Sequence, residues 1–295
     1  MRNIRLLFVG LIGCFCCMPA FMYGKAKEAP FMLTEMKCEN LVNPLGIDNT
    51  TPHFSWKLKG DGVKGGQAYY EIQVASDSIL LLQDKADLWN TGKLKSDASV
   101  MVPYQGASLS SRSLCYWRVR AWDSKKQASA WSPVARFAVG ILDKSHMHGE
   151  YIGSSVEGGK VCAPILRKKV NATKGETTFL HVNTLGYHEI YINGEKVGED
   201  VLTPGENDLL IWLGQGWYKS TTFGAAYDGP LVKAELNVLR NGKWEVLTKT
   251  DSSWCGRESG YSDTGTWRAL QFAGERVDGR ILPTDLSSQA LNKMK

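Results

Sequence analysis

The sequence predicts an all-β protein made of two β-sandwich domains in tandem. Three observations support this fold class. The 295-residue chain carries 10 Trp, 11 Tyr and 9 Phe, and aromatic side chains are enriched in strands. Its 30 Gly and 10 Pro supply frequent turns. Its apolar residues alternate over short segments instead of following a helical period. Once a leader is removed, the length suits two ordinary domains.

The first domain is predicted over residues 30–142. Tyr70, Ile72 and Val74 alternate with polar residues, which is the period of a half-buried strand. The clearest strand runs over residues 115–123, with its even- and odd-numbered side chains on opposite faces. Several such short strands separated by polar turns are typical of a β-sandwich.

Helix is predicted at one place only, over residues 79–88, with Asp77 as its N-cap. Residues 136–140 close the first domain after a turn-rich stretch. Residues 143–159 combine Gly, Ser and charged side chains, which indicates the junction between the domains.

The second domain is predicted over residues 143–284, followed by a tail over residues 285–295. Asn-Gly pairs at 193–194 and 241–242 separate alternating segments. Each pair predicts a β-hairpin, because a type I′ turn needs two consecutive residues with positive φ. Residues 209–213 are continuously apolar, so we expect a strand that is buried on both faces.

Residues 1–26 have the pattern of a signal peptide. Arg2 and Arg5 precede the apolar run 6–13, which is too short to span a bilayer. Cleavage after small residues further on is one route; lipidation of Cys14 in a lipobox-like string is the other. Both routes export the protein to the periplasm or the cell exterior. No later segment reaches the roughly 18 apolar residues of a membrane helix.

The charge pattern excludes an obvious nucleic-acid partner. The formal net charge is +5, and the basic residues are scattered along the chain. Nucleic-acid-binding proteins usually concentrate basic charge on one face. The longest basic run, residues 167–169, is predicted to be a solvated strand end.

Four cysteines lie outside the leader: Cys38, Cys115, Cys162 and Cys255. An exported protein could pair them in three ways, and the sequence does not choose among these. Cys115 falls on the apolar face of a predicted strand and is expected to be a small buried hydrophobe. Their spacing is not that of a metal site.

No catalytic constellation stands out in the residues. Glycoside hydrolysis needs two carboxyl groups that flank the scissile bond. The acidic residues here fall mostly in turn strings such as GED and GEND, where they bond to nearby backbone. There is no nucleophile elbow, metalloprotease helix or P-loop motif.

Several motifs, in order, resemble one family. The stretches CENLVNPLGIDNTTPHFSW (38–56) and CYWRVRAWD (115–123) resemble the opening fibronectin-type-III-like domain of bacterial α-L-rhamnosidases. The stretches GYHEIYINGEKVGEDVLTPG (186–205), NDLLIWLGQGWY (207–218) and FAGERVDGR (272–280) are similar to the jelly-roll domain that follows it. The resemblance implies a fibronectin- or immunoglobulin-like sandwich followed by a jelly-roll-like one.

Two departures from the family qualify what the resemblance implies. Residues 201–204 join residues 205–208 directly, where the family has a further strand, so we expect an internal deletion and a missing strand. Catalysis in the family belongs to a helical barrel further along the chain. We therefore expect this chain to be a non-catalytic module that binds rhamnose-containing glycans. The alternative is a structural pair that packs on the catalytic domain.

Candidate carbohydrate-binding residues are aromatic or lie in turns. Trp217 and Tyr218 follow a Gly-rich turn, where a sandwich displays its loops. Trp254 and Trp267 lie in similar surroundings, and Asn193 belongs to a predicted hairpin. Sugars stack on exposed aromatic rings, although each Trp could equally belong to the core.

No cofactor is predicted from the residues themselves. Some relatives of the jelly-roll domain bind rhamnose through calcium, so the resemblance implies calcium as a candidate ligand. Asn193 and the weaker candidate Asp228 are the positions to test. Calcium takes several oxygen ligands, and one Asn with scattered acids does not establish such a set.

Overall fold

A computed structural model describes most of the chain. The described residues are 31–60, 66–153, 155–156, 159–160, 163–197, 202–216, 230–263 and 275–286. They form two β-sandwiches with little helix, which confirms the predicted fold class. No sheet in these ranges contains strands from both sides of residue 143.

The first sandwich is built from two sheets. Its strands are β1 Met32–Cys38, β2 Leu45–Ile47, β3 His53–Lys59, β4 Tyr69–Ala75, β5 Trp89–Asn90, β6 Leu94–Lys95, β7 Val102–Pro103, β8 Leu114–Trp122 and β9 Ala135–Val139. One sheet has the order β1-β3-β7, and the other has the order β2-β9-β8-β4-β5, with β6 also paired to β4.

The core of the first sandwich forms around β8. Cys115, Trp117, Val119 and Ala121, on one face of this strand, have no exposed surface, which confirms the predicted alternation. Phe54 of the facing sheet packs on Trp117, with ring centroids 4.4 Å apart. Aromatic pairs at this distance add to the stability that burial alone provides.

The helix is shorter than predicted. Asp77 caps it as expected, because its carboxylate accepts the N–H of Ile79 at 2.8 Å. The helix, α1, spans only Ser78–Leu82. Asp84 then adopts a left-handed φ of 54°, which turns the chain away from the helical path.

Three cysteines are free thiols in the described part of the chain. Cys38 and Cys115 are buried in the first core, and Cys255 is exposed. Cys162 lies outside the described residues. Burial raises the pKa of Cys38 and raises that of Cys115 to about 12, so both core thiols stay protonated.

The second sandwich also contains two main sheets. Its strands are β10 Ser155–Val156, β11 Gly159–Lys160, β12 Pro164–Ala172, β13 Thr177–Leu185, β14 Tyr187–Ile192, β15 Glu195–Lys196, β16 Gly205–Gly214, β17 Leu231–Arg240, β18 Lys243–Lys249, β19 Cys255–Glu258, β20 Tyr261–Asp263 and β21 Glu275–Val277. The main sheets have the orders β15-β14-β16-β12-β19 and β13-β17-β18, and the pairs β10-β11 and β20-β21 are separate.

Both predicted Asn-Gly hairpins are present. Asn193 and Gly194 have φ values of 53° and 88° between β14 and β15. Asn241 and Gly242 have φ values of 50° and 73° between β17 and β18. A type I′ turn requires two consecutive positive φ values, so both hairpin predictions are confirmed.

The centre of the five-stranded sheet is β16. Leu209, Leu210, Ile211 and Leu213 are each at most 1% exposed, which confirms a strand buried on both faces. The basic run 167–169 lies in the middle of β12, beside β16, so its predicted place at a strand end is wrong. Cross-strand acidic partners, Asp208 for Arg167 and Glu206 for Lys169, account for basic residues at this position.

A buried ion pair ties the two sandwiches together at what we call the domain joint. Arg112, just before β8, donates to Glu235 at 2.6 Å and to Asn237 at 3.0 Å, both on β17. Glu235 is 0% exposed and also accepts the backbone N–H of His148 at 2.6 Å. Burial alone would raise the pKa of Glu235. Hydrogen bonds from Asn237 and His148 and the charge of Arg112 instead hold it below its usual value.

The described residues contain no helix that is long and apolar enough to span a membrane.

Candidate functional site

One pocket of the second sandwich combines aromatic rings with carboxylates, and we call it the aromatic pocket. Its volume is about 340 Å³, and it lies at the Gly214 end of β16. Its lining residues come from β14, β16, β20, β21 and the position just before β12: Ala163, Tyr187, Glu189, Trp212, Leu213, Gly214, Tyr261 and Glu275. Ligand pockets commonly combine apolar walls with a few placed polar groups.

Trp212 and Tyr261 form one wall of the aromatic pocket. Their ring centroids lie 5.8 Å apart at an interplanar angle of 64°, an edge-to-face contact that fixes both rings. Trp212 packs on the buried Ile165 and Leu210 and keeps part of its surface exposed. Tyr187, at the rim, is 58% exposed.

Glu189 supplies a fixed polar group beside these rings. It accepts hydrogen bonds from Lys196 Nζ at 2.6 Å, from Tyr191 Oη at 2.6 Å and from Tyr187 Oη at 3.1 Å. The bond from Lys196, followed by those from the tyrosines, lowers the pKa of Glu189. Burial and the neighbouring Glu189 raise the pKa of Tyr191 to about 12, so this phenol remains a donor. The pocket therefore presents an ionised acceptor at neutral pH.

Gly186 allows the chain to turn from β13 into β14 beside the pocket. Its φ is 127°, and a Cβ at this position would lie 2.5 Å from the carbonyl oxygen of Gly214. Only glycine fits such an approach without displacing backbone. The close contact places Tyr187 against the end of β16.

Three of the five predicted carbohydrate-binding residues, Trp217, Tyr218 and Trp267, lie outside the described residues, as does Asp228. One of the described ranges ends at Gly216, directly before Trp217. Gly214, two positions earlier, lines the aromatic pocket. The predicted Gly-rich element is therefore continuous with this pocket in sequence.

Asn193 and Trp254 have intramolecular partners away from the pocket. The side chain of Asn193 donates to Asn207 at 3.0 Å and accepts the N–H of Asp208 at 2.9 Å, which ties its hairpin to β16. Trp254 donates from Nε1 to the carbonyl of Lys249 at 2.8 Å and packs against the core. These contacts give both residues a structural role.

Sequence reasoning missed the residues that line the pocket. Trp212 is the single aromatic residue in the run 209–213, a signal that was available. Tyr187, Glu189 and Tyr191 alternate along β14, so they share one face of the strand. The contribution of Glu275 comes from β21, far along the chain, and no local pattern indicates it.

In the part of the chain that the structure describes, no group of three or more His, Cys, Asp or Glu side chains is arranged to hold a metal ion. Calcium also binds amide and backbone oxygens. The calcium site suggested at Asn193 and Asp228 stays a prediction.

Comparison with known families matches both sandwiches. A family described as "Rha78A-like, N-terminal immunoglobulin domain" matches residues 33–143. A second family, "Alpha-L-rhamnosidase N-terminal domain", matches in two pieces, residues 173–206 and 200–295. The two pieces meet at residues 200–206, where the sequence predicts a deletion.

Proteins similar to this chain are named α-L-rhamnosidases. An α-L-rhamnosidase of Formosa agariphila is 35% identical over 253 residues, covering 73% of this chain and 27% of the relative. A second from the same organism is 29% identical over 316 residues, covering 86% and 32%. The structure of an α-L-rhamnosidase from Dictyoglumus thermophilum superposes with a TM-score of 0.71 at 26% identity, over 88% of this chain and 32% of that one.

The fold and these matches define the class of protein: a tandem pair of different β-sandwich domains that form the N-terminal part of larger proteins. The chain carries the two N-terminal domains of the α-L-rhamnosidase family. It spans about a third of the length of the curated relatives that it matches.

Proposed function

We propose that this chain is an accessory, carbohydrate-binding part of an exported α-L-rhamnosidase and that it binds rhamnose-containing glycans. The aromatic pocket is the observation that carries the proposal. The relatives of this chain are named α-L-rhamnosidases, and the aromatic pocket is the site among the described residues that best suits a sugar. Its volume of about 340 Å³ is at the small end of ligand pockets, which suits one sugar unit.

The chemistry of the pocket matches that of a deoxysugar. Rhamnose presents C–H groups and a methyl group that can pack on Trp212 and Tyr187. Its hydroxyl groups can donate hydrogen bonds to Glu189, which the bond from Lys196 holds in its ionised form. A rigid ring pair and an ionised acceptor that are already in place reduce the entropy lost on binding.

Calorimetric titration with a rhamnose-containing oligosaccharide tests this function. We expect Tyr187→Ala and Trp212→Ala each to weaken binding by about 1 to 2 kcal/mol, or about 5- to 30-fold. The same loss is expected for Trp217→Ala and Tyr218→Ala if these residues extend the pocket. Tyr151→Ala is the matched control, because Tyr151 is 46% exposed and lies outside the pocket.

Two further arms define the nature of the binding. Removal of calcium with a chelator should leave the affinity unchanged if the aromatic pocket acts alone, whereas a loss would support a calcium site near Asn193 or Asp228. The purified chain should release no rhamnose from an aryl rhamnoside. Turnover that is lost on mutating a pair of its own carboxylates would overturn the non-catalytic assignment.

A structural role is the second candidate function, and the domain joint favours it. The buried pair of Arg112 and Glu235 fixes the orientation of the two sandwiches, as a scaffold for another domain would require. A folded chain that binds no glycan, yet associates with a separately produced catalytic domain of an α-L-rhamnosidase, would support this role instead.

Export belongs to the same proposal. We expect the leader to be absent from the mature protein, and mass spectrometry of its N-terminus checks this. A diacylated Cys14 would indicate the lipoprotein route. Retention of Met1 on a cytoplasmic protein would contradict export.

A further inference from the structure

The walls of the aromatic pocket carry charged side chains of one sign only. Two of the eight residues that line it are glutamates, Glu189 and Glu275, and none is Lys, Arg or His. Glu189 lies on β14 of the five-stranded sheet and Glu275 on the separate pair β20-β21, so the two carboxylates reach the pocket from different sheets. Both line one space of about 340 Å³. Charges of one sign in a concave site reinforce each other's field inside it.

The hydrogen bonds of Glu189 leave this carboxylate little remaining acceptor capacity. An ionised carboxylate has about four lone-pair sites on its two oxygens. Oε1 of Glu189 accepts from Lys196 Nζ at 2.6 Å and from Tyr187 Oη at 3.1 Å. Oε2 accepts from Tyr191 Oη at 2.6 Å. Glu189 therefore has room for about one further donor, on Oε2, which one hydroxyl group of a ligand can supply.

The same hydrogen bonds use the donor groups that surround Glu189. A phenol has a single O–H, and the O–H groups of Tyr187 and Tyr191 are both directed at Glu189. The lone pairs of the Tyr187 oxygen are what this residue still offers to a ligand. This side of the pocket therefore presents hydrogen-bond acceptors to a ligand, and its donors are already in use.

The cations beside the two carboxylates lie outside the pocket. Lys196 contacts Glu189, but its side chain is 59% exposed and does not line the pocket. Arg276 follows Glu275 on β21 and does not line the pocket either, because successive side chains of a strand point to opposite sides. A ligand inside the pocket therefore meets the carboxylates directly, without a cation that could bind an anionic group.

A pocket with this lining sorts ligands by their own polar groups. The hydroxyl groups of an uncharged sugar can donate to the carboxylates. A sulfate ester has only acceptor oxygens and carries a negative charge, so it repels the carboxylates and brings no donor to them. The repulsion is greater in a partly enclosed site than on an open surface, because water and salt screen it less there.

We propose that the aromatic pocket selects uncharged rhamnose units and rejects units that carry a sulfate ester. Glu275 determines this specificity through its charge, and Glu189 accepts one hydroxyl group of the bound unit. The inference rests on the proposed glycan binding at the same pocket and adds the class of glycan that binds there. Rejection of the wrong ligand by like charge is a common source of specificity.

Calorimetric titration of the full mature chain with three versions of one rhamnose oligosaccharide tests the selection. The first is unmodified, the second carries a sulfate ester on its terminal rhamnose, and the third carries a methylsulfonyl ester at the same position. The two esters have nearly the same shape, but only the sulfate is charged. At low salt the sulfated probe should bind at least about tenfold more weakly than the methylsulfonyl probe. The difference should shrink at about 0.5 M salt, where charges are screened.

Variants of exposed glutamates locate the discrimination without disturbing the core. Glu275 is exposed on β21, and Glu275→Gln removes its charge while keeping its size, so the affinity difference between the two esters should narrow several-fold. Glu275→Lys should reverse the order, so that the sulfated probe binds more tightly. Glu258 is an exposed glutamate on β19 that does not line the pocket, so Glu258→Gln is the matched control and should leave the difference unchanged.

Three results would overturn the proposal, and they can be told apart. Equal affinity for the sulfated and methylsulfonyl probes would refute selection by charge while leaving glycan binding in place. An affinity difference that Glu275→Lys does not alter would show that Glu275 does not determine the specificity. If a folded chain binds none of the three probes, the proposed glycan binding itself is wrong, and the selection is wrong with it.

Discussion

The two sandwiches are built from the same kind of alternating sequence but are covered to different degrees. In the first, Trp117 and Val119 on β8 have no exposed surface, and the core is one continuous cluster. In the second, Leu180 and Val182 alternate in the same way on β13, yet both remain partly exposed. The buried residues of this domain fall into three smaller clusters.

This difference shows that the apolar face of a strand and the burial of that face are separate properties, although an alternating sequence is often taken to predict both. Alternation decides which face of a strand is apolar. Whether that face becomes buried depends on a second layer and on neighbours at both edges. β8 lies between β9 and β4, whereas β13 has β17 on one side only among the described strands. The second sandwich should therefore be the less stable of the two.

Truncation of a ring in each domain gives the largest test of this comparison. Phe54, 0% exposed, packs 4.4 Å from Trp117, and Phe54→Ala should destabilise the first sandwich by about 3 to 5 kcal/mol. Phe179, half-buried on β13, stacks on Trp244 at 4.9 Å, and Phe179→Ala should cost about 1 to 2 kcal/mol. Urea unfolding measures both. Equal costs would show that the second sandwich is packed as fully as the first.

The domain joint gives the next largest effect. Arg112→Met leaves the buried carboxylate of Glu235 without its cation, which should cost about 3 kcal/mol. If the joint couples the domains, urea unfolding should also separate into two transitions, the second sandwich unfolding first. Arg136→Met is the control, because Arg136 is an exposed Arg of the same sandwich. A single transition with no loss of stability would show that the joint does not couple them.

Local patterns predicted the fold well and the joint not at all. The Asn-Gly turns, the Asp77 cap and the burial of β8 and β16 depend on residues close in sequence. Arg112 and Glu235 are 123 positions apart, and each is unremarkable in its own segment. The buried pairing follows from how two domains meet, which periodicity does not report.

The candidate site divides in the same way. The Gly-rich element near Trp217 was recognised because turn chemistry is local. The aromatic pocket depends on β14, β16, β20 and β21 coming together, so Tyr261 and Glu275 could not be found from spacing. Asn193 was singled out correctly as a hairpin residue. Its side-chain bonds to Asn207 became visible only once β14 and β16 were seen to pair.

A smaller effect is expected where the chain enters β16. Asn207, 0% exposed, accepts the N–H of Thr203 at 2.9 Å and donates to the carbonyl groups of Thr203 and Gly205 at 2.7 and 2.9 Å. Asn207→Ala should destabilise the second sandwich by about 1 to 2 kcal/mol, because the hydrogen bonds that join Asn207 to the backbone of Thr203 and Gly205 are lost. Asn171→Ala, an exposed Asn on β12, is the control. Equal stability of the two variants would show that this network does not hold the start of β16.

The smallest effect is a pH dependence in the second sandwich that arises beside the joint. Burial, followed by the nearby charge of Arg112, lowers the pKa of His181, whose ring also bonds to Asn237 at 3.1 Å. The unfolded chain then binds more protons than the folded one just below the usual His pKa of about 6.5, so stability falls as pH drops through that value. Burial lowers the pKa of His188 too, and it contributes in the same direction.

Replacing one of these two histidines isolates its contribution to the pH dependence of stability. His181→Gln keeps a donor for Asn237 and removes the titrating group, so its free energy of unfolding should vary less between pH 7 and pH 5 than that of the parent chain. The carboxylate of Glu235 has a lowered pKa, so its contribution is lost only at more acid pH, below the usual Glu value of about 4.3. Urea titrations at pH 5, 6 and 7 therefore report the histidines. An unchanged slope in the variant would mean that His181 is as easily protonated in the folded chain as in the unfolded one.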